Sequence, residues 1–595
     1  MILFQTTIWQ LDLSNLPITL NESNDWFTDT QTKSYSYPFN LQITDAIADK
    51  LELVTINNIT NYKNKIYGTL IIDNEYYNAY LTINEVVGTR LEVTLFYGTE
   101  TLEVFDKKLS ALPFPNIFAV GGLRAYAKNL ITQSWPEATH NFPMVFREAI
   151  KNESNFENFN LFLNHYYNNN GTYEFKDNFV SDLGGGEEMV SNRNVMCPFP
   201  YLLEVLKLAF KSEGKTIAGD FVNDDFNKKI LLVPQNYMEQ YSETQLLNYS
   251  FSNFTSQEVL TDKILNVYTQ IHTPLQEGAY SLDIRINMSN VVAQYFSLTV
   301  TQAGVELYSA FSENREVIIE KTLDITIVDT NVFENIEVQL KLQYQDINIS
   351  EYNSFKYQYN EGQLNIFPEI YNLANFMPDL TFREFTNRIK TAFNLKFDYT
   401  DTIVYINYLD NEFDRLTFTN HSHLQQPDVK RTLSKNNLFK LQHPNGDEIM
   451  VNNSGQIYSD ADYTDAETEK IEIKVLPLKV KEKYSFVTAI YPEDDEEDIM
   501  LCLYNGLVGN IPFAANTVNN KSLELQDIYK RLYKNWLRFR ANSETYNDSF
   551  YISIHDELNI KKGSFKYNKN HIVKSIERKR ISEQWWKCDV ESETL

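Results

Sequence analysis

Side chains able to do chemistry are plentiful in this chain, but few stand at telling spacings. His421 and His423 lie two apart, which on a strand would aim both to one face. A zinc site needs further ligands in defined geometry. None is evident, so the pair is expected in a solvent-exposed loop. Asp460, Asp462 and Asp465 have the rhythm of a calcium loop without its glycine or its closing glutamate at the required offsets. A solvated acidic loop is the expectation there. Gly184-Gly185-Gly186 lacks the Lys-Ser/Thr and the strand–helix setting of a phosphate cradle, and reads as a loop. Cys197, Cys502 and Cys588 have no short spacing, so neither a disulfide framework nor a zinc pattern is expected. There is no Gly-x-Ser-x-Gly elbow and no Cys–His signature. A glycosidase needs two placed carboxylates, and 80 acidic residues single out no pair. No catalytic residue, no cofactor-binding residue and no metal ligand is therefore expected, and the chain is not expected to be an enzyme.

Two features suit contact rather than chemistry. Lys561, Lys562, Lys566, Lys569, Lys574, Arg578, Lys579 and Arg580 form the sharpest local charge contrast. Such a run suits an acidic neighbour or a DNA-lined channel; a solvated face is the plain reading. Trp585-Trp586 either caps a core or seeds an interface.

The elements that would position these residues are mostly strands. The first 120 residues carry strand patterns at Met1 to Leu11, Tyr37 to Ile43, Lys65 to Ile72, Tyr76 to Val86 and Arg90 to Tyr97, with compact turns at Asp73-Asn74-Glu75 and Gly88-Thr89. Prolines 113, 115, 136 and 143, and an Asn-rich stretch at Tyr166 to Asn170, mark 121–197 as an irregular connector. From Asn248 to Asp346 apolar and polar residues alternate repeatedly, as in Tyr280 to Ile286 and Ile336 to Leu342. That spacing predicts an antiparallel sandwich with one wet face per sheet.

Flanking it are two similar stretches, Pro198 to Gln235 and Thr381 to Leu409. One constant offset superposes Phe199 on Phe382, Leu202 on Phe385, Leu206 on Ile389, Ala209 on Ala392 and Phe210 on Phe393. The apolar members fall at helical spacing, and each helix leads into two strand patterns. Thr381 and Glu384 predict a capping box, and Leu380 with Phe385 a hydrophobic staple. Pro198 and Pro200 suit a helix's first turn. A duplicated helix–strand–strand unit is the expectation. Leu523 to Ala541 predicts the longest helix, with Leu525, Ile528, Leu532, Trp536 and Phe539 on one face.

The fold class that follows is mainly β with α+β modules, and multidomain, the length suggesting about four domains. The expected parts are an N-terminal β-barrel or meander at 1–120, the connector at 121–197 and the first helix–strand–strand unit at 198–247. The sandwich is expected at 248–360, the second unit with loops at 361–470 and a C-terminal α+β domain at 471–595, with its long helix at 523–541. The 53 Lys and Arg stand against 80 Asp and Glu, net −27. This argues against a general nucleic-acid binder and against an anionic membrane surface. The start, MILFQTTIWQLDLSN, has no secretory signal pattern. No apolar run approaches the ~20 residues that span a bilayer. A large acidic protein made in a cytosol is expected.

A family resemblance emerges from longer stretches. SYPFNLQITDAIADKLELV, KIYGTLIIDNEYYNAYLTINEV and LFYGTETLEVFDKKLSALPF resemble the opening domain of tail-hub or baseplate proteins from tailed phages and prophages of Bacteroidetes-type bacteria. PFPYLLEVLKLAFKSEGKTIAGDF and TFREFTNRIKTAFNLKFDY resemble that family's paired modules. IYKRLYKNWLRFRANSE and HIVKSIERKRIS are similar to its closing module. The resemblance implies a structural virion component, made in the host cytoplasm, that joins tail tube to tail tip and organises host attachment. It implies a homotrimer whose duplicated domains present a near-sixfold face to the tube, with tube, tip and fibre proteins as partners and DNA passing through the ring. The 248–360 sandwich lies outside the minimal hub and looks like an outward-facing, galactose-binding-type insertion that would contact surface glycan. Two rival readings are a carbohydrate-binding adhesion protein and a tail-borne glycan depolymerase.

Overall fold

The computed structural model describes the chain except residues 1, 31–33, 43, 45–64, 74, 89, 99–101, 153–155, 157, 181–188, 191, 236–246, 250–253, 261–262, 275–277, 328–333, 344–352, 360–366, 368–369, 434–437, 445, 459–467, 493–498, 583 and 595. Strand dominates, in many sheets, with a minority of helix. The chain divides into two compact units. One is Met1–Phe146, Cys197–Asn236 and Glu369–Leu595; the other is Arg147–Met196 and Tyr237–Pro368.

The first unit is organised by a fourteen-stranded sheet. The strands Lys65–Ile72, Glu75–Val87 and Arg90–Tyr97 form a meander in it, as their alternation predicts. The strand Thr19–Ser23 then pairs antiparallel with Lys569–Arg580, bringing Leu20 opposite Arg578 and Glu22 opposite Ile576. Lys569–Arg580 pairs with Trp585–Thr594, which pairs with Thr545–Ser553. A single apolar core runs beneath: Phe4, Leu20, Leu81 and Val93 share it with Phe550, Ile576, Trp586 and Val590. Separate domains at 1–120 and 471–595 are therefore a correction: both ends build one sheet. An open sheet edge presents unpaired N–H and C=O groups that another strand can satisfy. Alternation shows which face of a strand is buried and is silent about which strand lies beside it.

The connector expected at 121–197 is also corrected. Leu123–Leu130 is a helix burying Leu123, Ala127 and Leu130, and residues 147–196 belong to the second unit. The punctuating prolines flank the helix without entering it, and its apolar spacing is what orders it.

The two helices of the suspected repeat form at Leu202–Ser212 and Phe382–Phe393. The capping box is present: Glu384 N donates to Thr381 Oγ1 at 3.2 Å, and Thr381 N donates to Glu384 Oε2 at 2.8 Å. The first helix starts later than expected, because Phe199–Pro200 is a short strand paired with His140–Asn141. Beyond the helices the copies diverge. Leu395–Tyr399 and Ile403–Tyr408 form a hairpin, and Thr216–Ala218 joins its edge, parallel to Ile403–Tyr408. Ile230–Leu232 pairs elsewhere, with Ile499–Leu503. Phe210 packs on Phe105, Phe382 and Tyr399, whereas Phe393 packs on Phe221 and not on its offset-matched partner. The likeness thus extends over the helices and not over a whole unit. Gly219 enforces the divergence. Its φ is +110°, and a Cβ there would sit 2.5 Å from Ile406 O and from Asn407 Oδ1, so the chain turns into the short helix Asp220–Asn223 where the second copy runs into a strand.

The long helix expected at 523–541 is helical but interrupted. Leu525–Ile528 is α, Tyr529–Tyr533 is a π segment, and Lys534–Asn542 is α again. A π segment leaves backbone groups without intrahelical partners. Asp410 answers, accepting Asn535 N at 3.2 Å and Trp536 N at 3.1 Å. Asn394 Nδ2 donates to Leu532 O at 2.6 Å, and the Tyr533 hydroxyl donates to Thr391 O.

In the second unit two antiparallel sheets face each other. One holds Ser256–Leu260, Lys263–His272, Ile336–Gln343, Tyr295–Gln302 and Val305–Ser312; the other holds Leu247–Tyr249, Asn353–Tyr359, Gly278–Ala293 and Arg315–Ile327. Leu298, Val338 and Leu340 of the first meet Leu282, Ile284, Ile286 and Ile325 of the second in one core. The alternating residues between them, such as Glu337, Gln339 and Lys341, face outward.

Candidate functional site

The sequence-flagged residues do not converge on one place. His421 is buried, its Nδ1 paired with Ser564 Oγ and its Nε2 with Glu557 O, both at 2.8 Å. The solvent-exposed loop expected for this pair is thus corrected for His421, while His423 is exposed. The two rings lie 6.3 Å apart. Among the described residues no three His, Cys, Asp or Glu side chains gather as metal ligands. Asp460, Asp462, Asp465 and Gly184 to Gly186 lie outside the described residues. All three cysteines are buried and unbridged. Burial pushes the Cys588 thiol up to about 12 and the Cys502 thiol higher still, the reverse of a reactive thiolate.

The basic run is the largest surprise. Lys561 pairs with Asp398 at 3.2 Å, Lys562 with Glu557 at 2.5 Å, Lys569 with Glu544 at 2.6 Å, Lys574 with Glu591 at 2.9 Å and Arg578 with Glu22 at 3.1 Å. Arg580 lies 3.7 Å from Asp73. Lys566 and Asp548 are nearly inaccessible and 2.7 Å apart. Most of the run is thus consumed within the chain, which leaves little of it to face DNA or an acidic neighbour. Trp586 is buried and donates to Asp73 Oδ2 at 3.0 Å, while Trp585 is exposed. Of the two roles weighed for the pair, Trp586 takes the core.

A polar cavity that sequence reading missed lies between the segment Asp25–Asp29, the end of helix Phe382–Phe393 and the π segment. Trp26, Lys390, Asn394, Glu469, Tyr533 and Arg540 are among its walls. Lys390 Nζ donates to three backbone carbonyls: Asp25 O at 2.5 Å, Thr28 O at 2.7 Å and Thr30 O at 2.9 Å. All three ammonium donors are occupied, so Lys390 has no lone pair to act as a nucleophile and instead ties the loop to the helix. Burial raises the Asp25 and Asp29 carboxyls, against the pull of Lys390. Burial also works against the charge of neighbouring Lys396, yet Asp398 and Glu412 hold its pKa above the ordinary value. The cavity holds about 50 Å³, room for a few ordered waters and far below the ~300 Å³ of a small-molecule site. The apolar stripe of the long helix accounts for Trp536; the other walls carry no sequence signal for a cavity.

A second charged centre is buried. Asp548 Oδ2 accepts from Lys566 Nζ and, at 3.1 Å, from the Tyr567 hydroxyl. Next to it burial pushes His571 down to about 4, and its ring nitrogens are paired with Ser592 Oγ and Lys566 O at 3.0 Å. These groups hold strands together, Lys566 and Asp548 being 3% and 1% exposed.

No protein-family model matches the chain, and no curated protein does. Among solved structures it is similar to the 43 kDa tail protein of prophage MuSo2 from Shewanella oneidensis, at 9% identity over 55% of this chain and 97% of that one, TM-score 0.18. It is similar to a tail protein from Neisseria meningitidis MC58, at 7% identity over 55% and 96%, TM-score 0.19. It is also similar to a family 35 carbohydrate-binding module from an environmental isolate, at 9% identity over 22% and 93%, TM-score 0.11. Tail proteins are thus among its structural neighbours, at TM-scores too low to carry a function across.

Proposed function

We propose that this chain is a structural component of a phage tail, a hub or baseplate protein that joins tail tube to tip and works by assembly rather than turnover. The observation that carries the reading is the sequence resemblance at both ends of the chain, together with where those ends go. The stretches Lys65 to Val86 and His571 to Ser582, which resemble opening and closing modules, lie in one hydrogen-bonded sheet. Binding chain ends into a common core makes a rigid block, as a load-bearing ring subunit requires. The interior use of Lys390, Lys566 and His571 supports the same reading, since these buried polar groups are spent on holding segments together. Purified tails from a producing strain, probed by mass spectrometry and electron microscopy with an antibody to this chain, test it. The expected result is a fixed low copy number at one tail end; intact tails lacking the chain overturn it.

A second role as a glycan contact rests on the sandwich. On the outer face of its five-stranded sheet, Thr269, Gln339, Thr299 and Ser309 stand opposite one another across four strands. Such a flat row of hydroxyl and amide groups suits hydrogen bonding to sugar hydroxyls. A glycan array with the full chain tests it, and a blank array overturns it.

A further inference from the structure

In the second unit three basic side chains, those of His165, Lys176 and Arg193, are gathered by a frame of asparagines. All three are half-buried. Asn160 donates twice to Arg193 O, from its backbone N at 3.1 Å and from Nδ2 at 2.9 Å. Its Oδ1 accepts Lys176 Nζ at 3.2 Å. Asn194 is fully buried; its Oδ1 accepts His165 N at 2.9 Å, and its Nδ2 donates to Lys176 O at 2.7 Å. Lys176 N donates in turn to His165 O at 2.8 Å. The Lys176 ammonium stands 5.3 Å from the centre of the Tyr167 ring, and the His165 ring lies 6.0 Å from the same ring.

Two physical features set this cluster apart. The first is charge. Among the described residues neither Lys176 nor Arg193 makes an ion pair, in a chain with 80 acidic residues. The carboxylates flanking Lys176 in sequence serve other donors: Glu174 Oε1 accepts Asn169 Nδ2 at 2.6 Å and the Tyr167 hydroxyl at 3.4 Å, and Asp177 Oδ1 accepts Asn178 N at 2.8 Å. Burial lowers the Lys176 pKa and the charge of Arg193 lowers it further. Burial pushes His165 down to about 4, with Lys176 and Arg193 acting in the same direction. Charges of one sign thus press on one another with no carboxylate between them, and perturbed groups of this kind gather at functional sites. The second feature is an unmet hydrogen bond. His165 Nδ1 is inaccessible and has no partner. A buried N–H without an acceptor is costly, so the imidazole proton is assigned to Nε2, which makes that nitrogen a donor.

We propose that His165, Lys176 and Arg193 form an oxyanion site that binds the phosphate or carboxylate group of a small ligand. Each of the three side chains offers hydrogen-bond donors. The Arg193 guanidinium is a planar fork that matches two oxygens of one anion, and Lys176 is a compact charge beside it. Asn160 Oδ1 occupies a single Lys176 donor, which leaves the rest of the ammonium for a ligand. A bound anion neutralises the two cations that the chain leaves uncompensated, and Asn160 and Asn194 hold the backbone that carries them. The site goes beyond the tail reading and does not depend on it.

The test is titration calorimetry of the purified full chain with inorganic phosphate, sulfate and glucuronate, at low ionic strength in chloride buffer. Urea unfolding followed by circular dichroism is run with and without each probe. At least one probe is expected to bind one-to-one and to raise the urea midpoint, as a ligand of the folded state must. Binding of phosphate and sulfate alone identifies a phosphate-type ligand, and binding of glucuronate alone a carboxylate. Lys176→Gln with Arg193→Gln is expected to weaken binding by about tenfold or more. Without probe the same double variant is expected to unfold at an equal or higher urea concentration, because it relieves repulsion; a merely structural pair would shift the midpoint down. Arg193→Lys keeps the charge and loses the fork, and is expected to fold normally and bind more weakly than wild type. No saturable binding of any probe, binding that the double variant leaves unchanged, or a double variant less stable than wild type in probe-free buffer overturns the proposal. Presence of the chain in purified tails is read independently, so this site and the tail reading can fail separately.

Discussion

Replacing Lys566 by methionine is expected to destabilise the first unit by about 3–5 kcal/mol, the range for breaking a buried ion pair by removing one partner. The side chains of Lys566 and Asp548 are 3% and 1% exposed and meet at 2.7 Å. Lys566 is held below its ordinary pKa, chiefly by burial and in spite of Asp548, so loss of hydration outweighs the attraction of the pair. With the ammonium gone, Asp548 keeps a single donor, the Tyr567 hydroxyl, and its Oδ1 has no partner. A buried carboxylate so placed carries most of the penalty. Asp548→Asn is expected to cost a similar amount by stranding the ammonium. The double variant Lys566→Met with Asp548→Leu removes both charges and is expected within about 1 kcal/mol of wild type. Urea unfolding followed by tryptophan fluorescence measures this cleanly, because all six tryptophans lie in the first unit. An unchanged urea slope would show that the unfolded state is not the cause. Single variants costing under about 1 kcal/mol, or a double variant no better than either single, would refute the reasoning.

Three further outcomes follow from particular residues. Burial raises Asp410 to about 6 from 3.8, against the two N–H bonds it accepts. Its stability contribution is therefore fully present below pH 3.8 and lost as pH rises through about 6, about 3 kcal/mol in all. Asp410→Asn should flatten the pH dependence of urea midpoints across that window, and an unchanged slope would count against it. Gly219→Ala should cost several kcal/mol, on the order of 3 or more, since φ is +110° and three backbone or amide atoms lie within 2.8 Å of the new Cβ; soluble protein of wild-type stability would sink this. Thr381→Ala removes the capping hydroxyl and should cost about 1 kcal/mol, read from the same urea curves, with serine restoring most of it.

Local features were legible in the residues themselves. The strands Lys65–Ile72 and Arg90–Tyr97 match their sequence bounds, because period-two alternation and short turns specify a strand and its buried face without outside help. The Thr381–Glu384 box formed as read, because every atom in it lies within one turn. The anchoring stripe Leu525, Ile528, Leu532, Trp536 and Phe539 is buried as its spacing demands. The cavity around Lys390 was not legible: its walls come from residues 25–29, 390–395, 409, 469–471 and 533–540, and no periodicity links them.

What the sequence determined by itself was the β-dominated class, the sandwich pattern and the caps, all properties of near neighbours along the chain. Only the tertiary structure decided that Thr19–Ser23 would lie against Lys569–Arg580, that the basic run would be matched from Glu22, Asp73, Asp398 and Asp548, and that a π segment would open toward Asp410. A charge or a strand edge records what it needs but not where its partner lies. Closing loops of hundreds of residues adds an entropy that grows only slowly with length, so distant partners compete with near ones, and packing of the whole chain makes the selection.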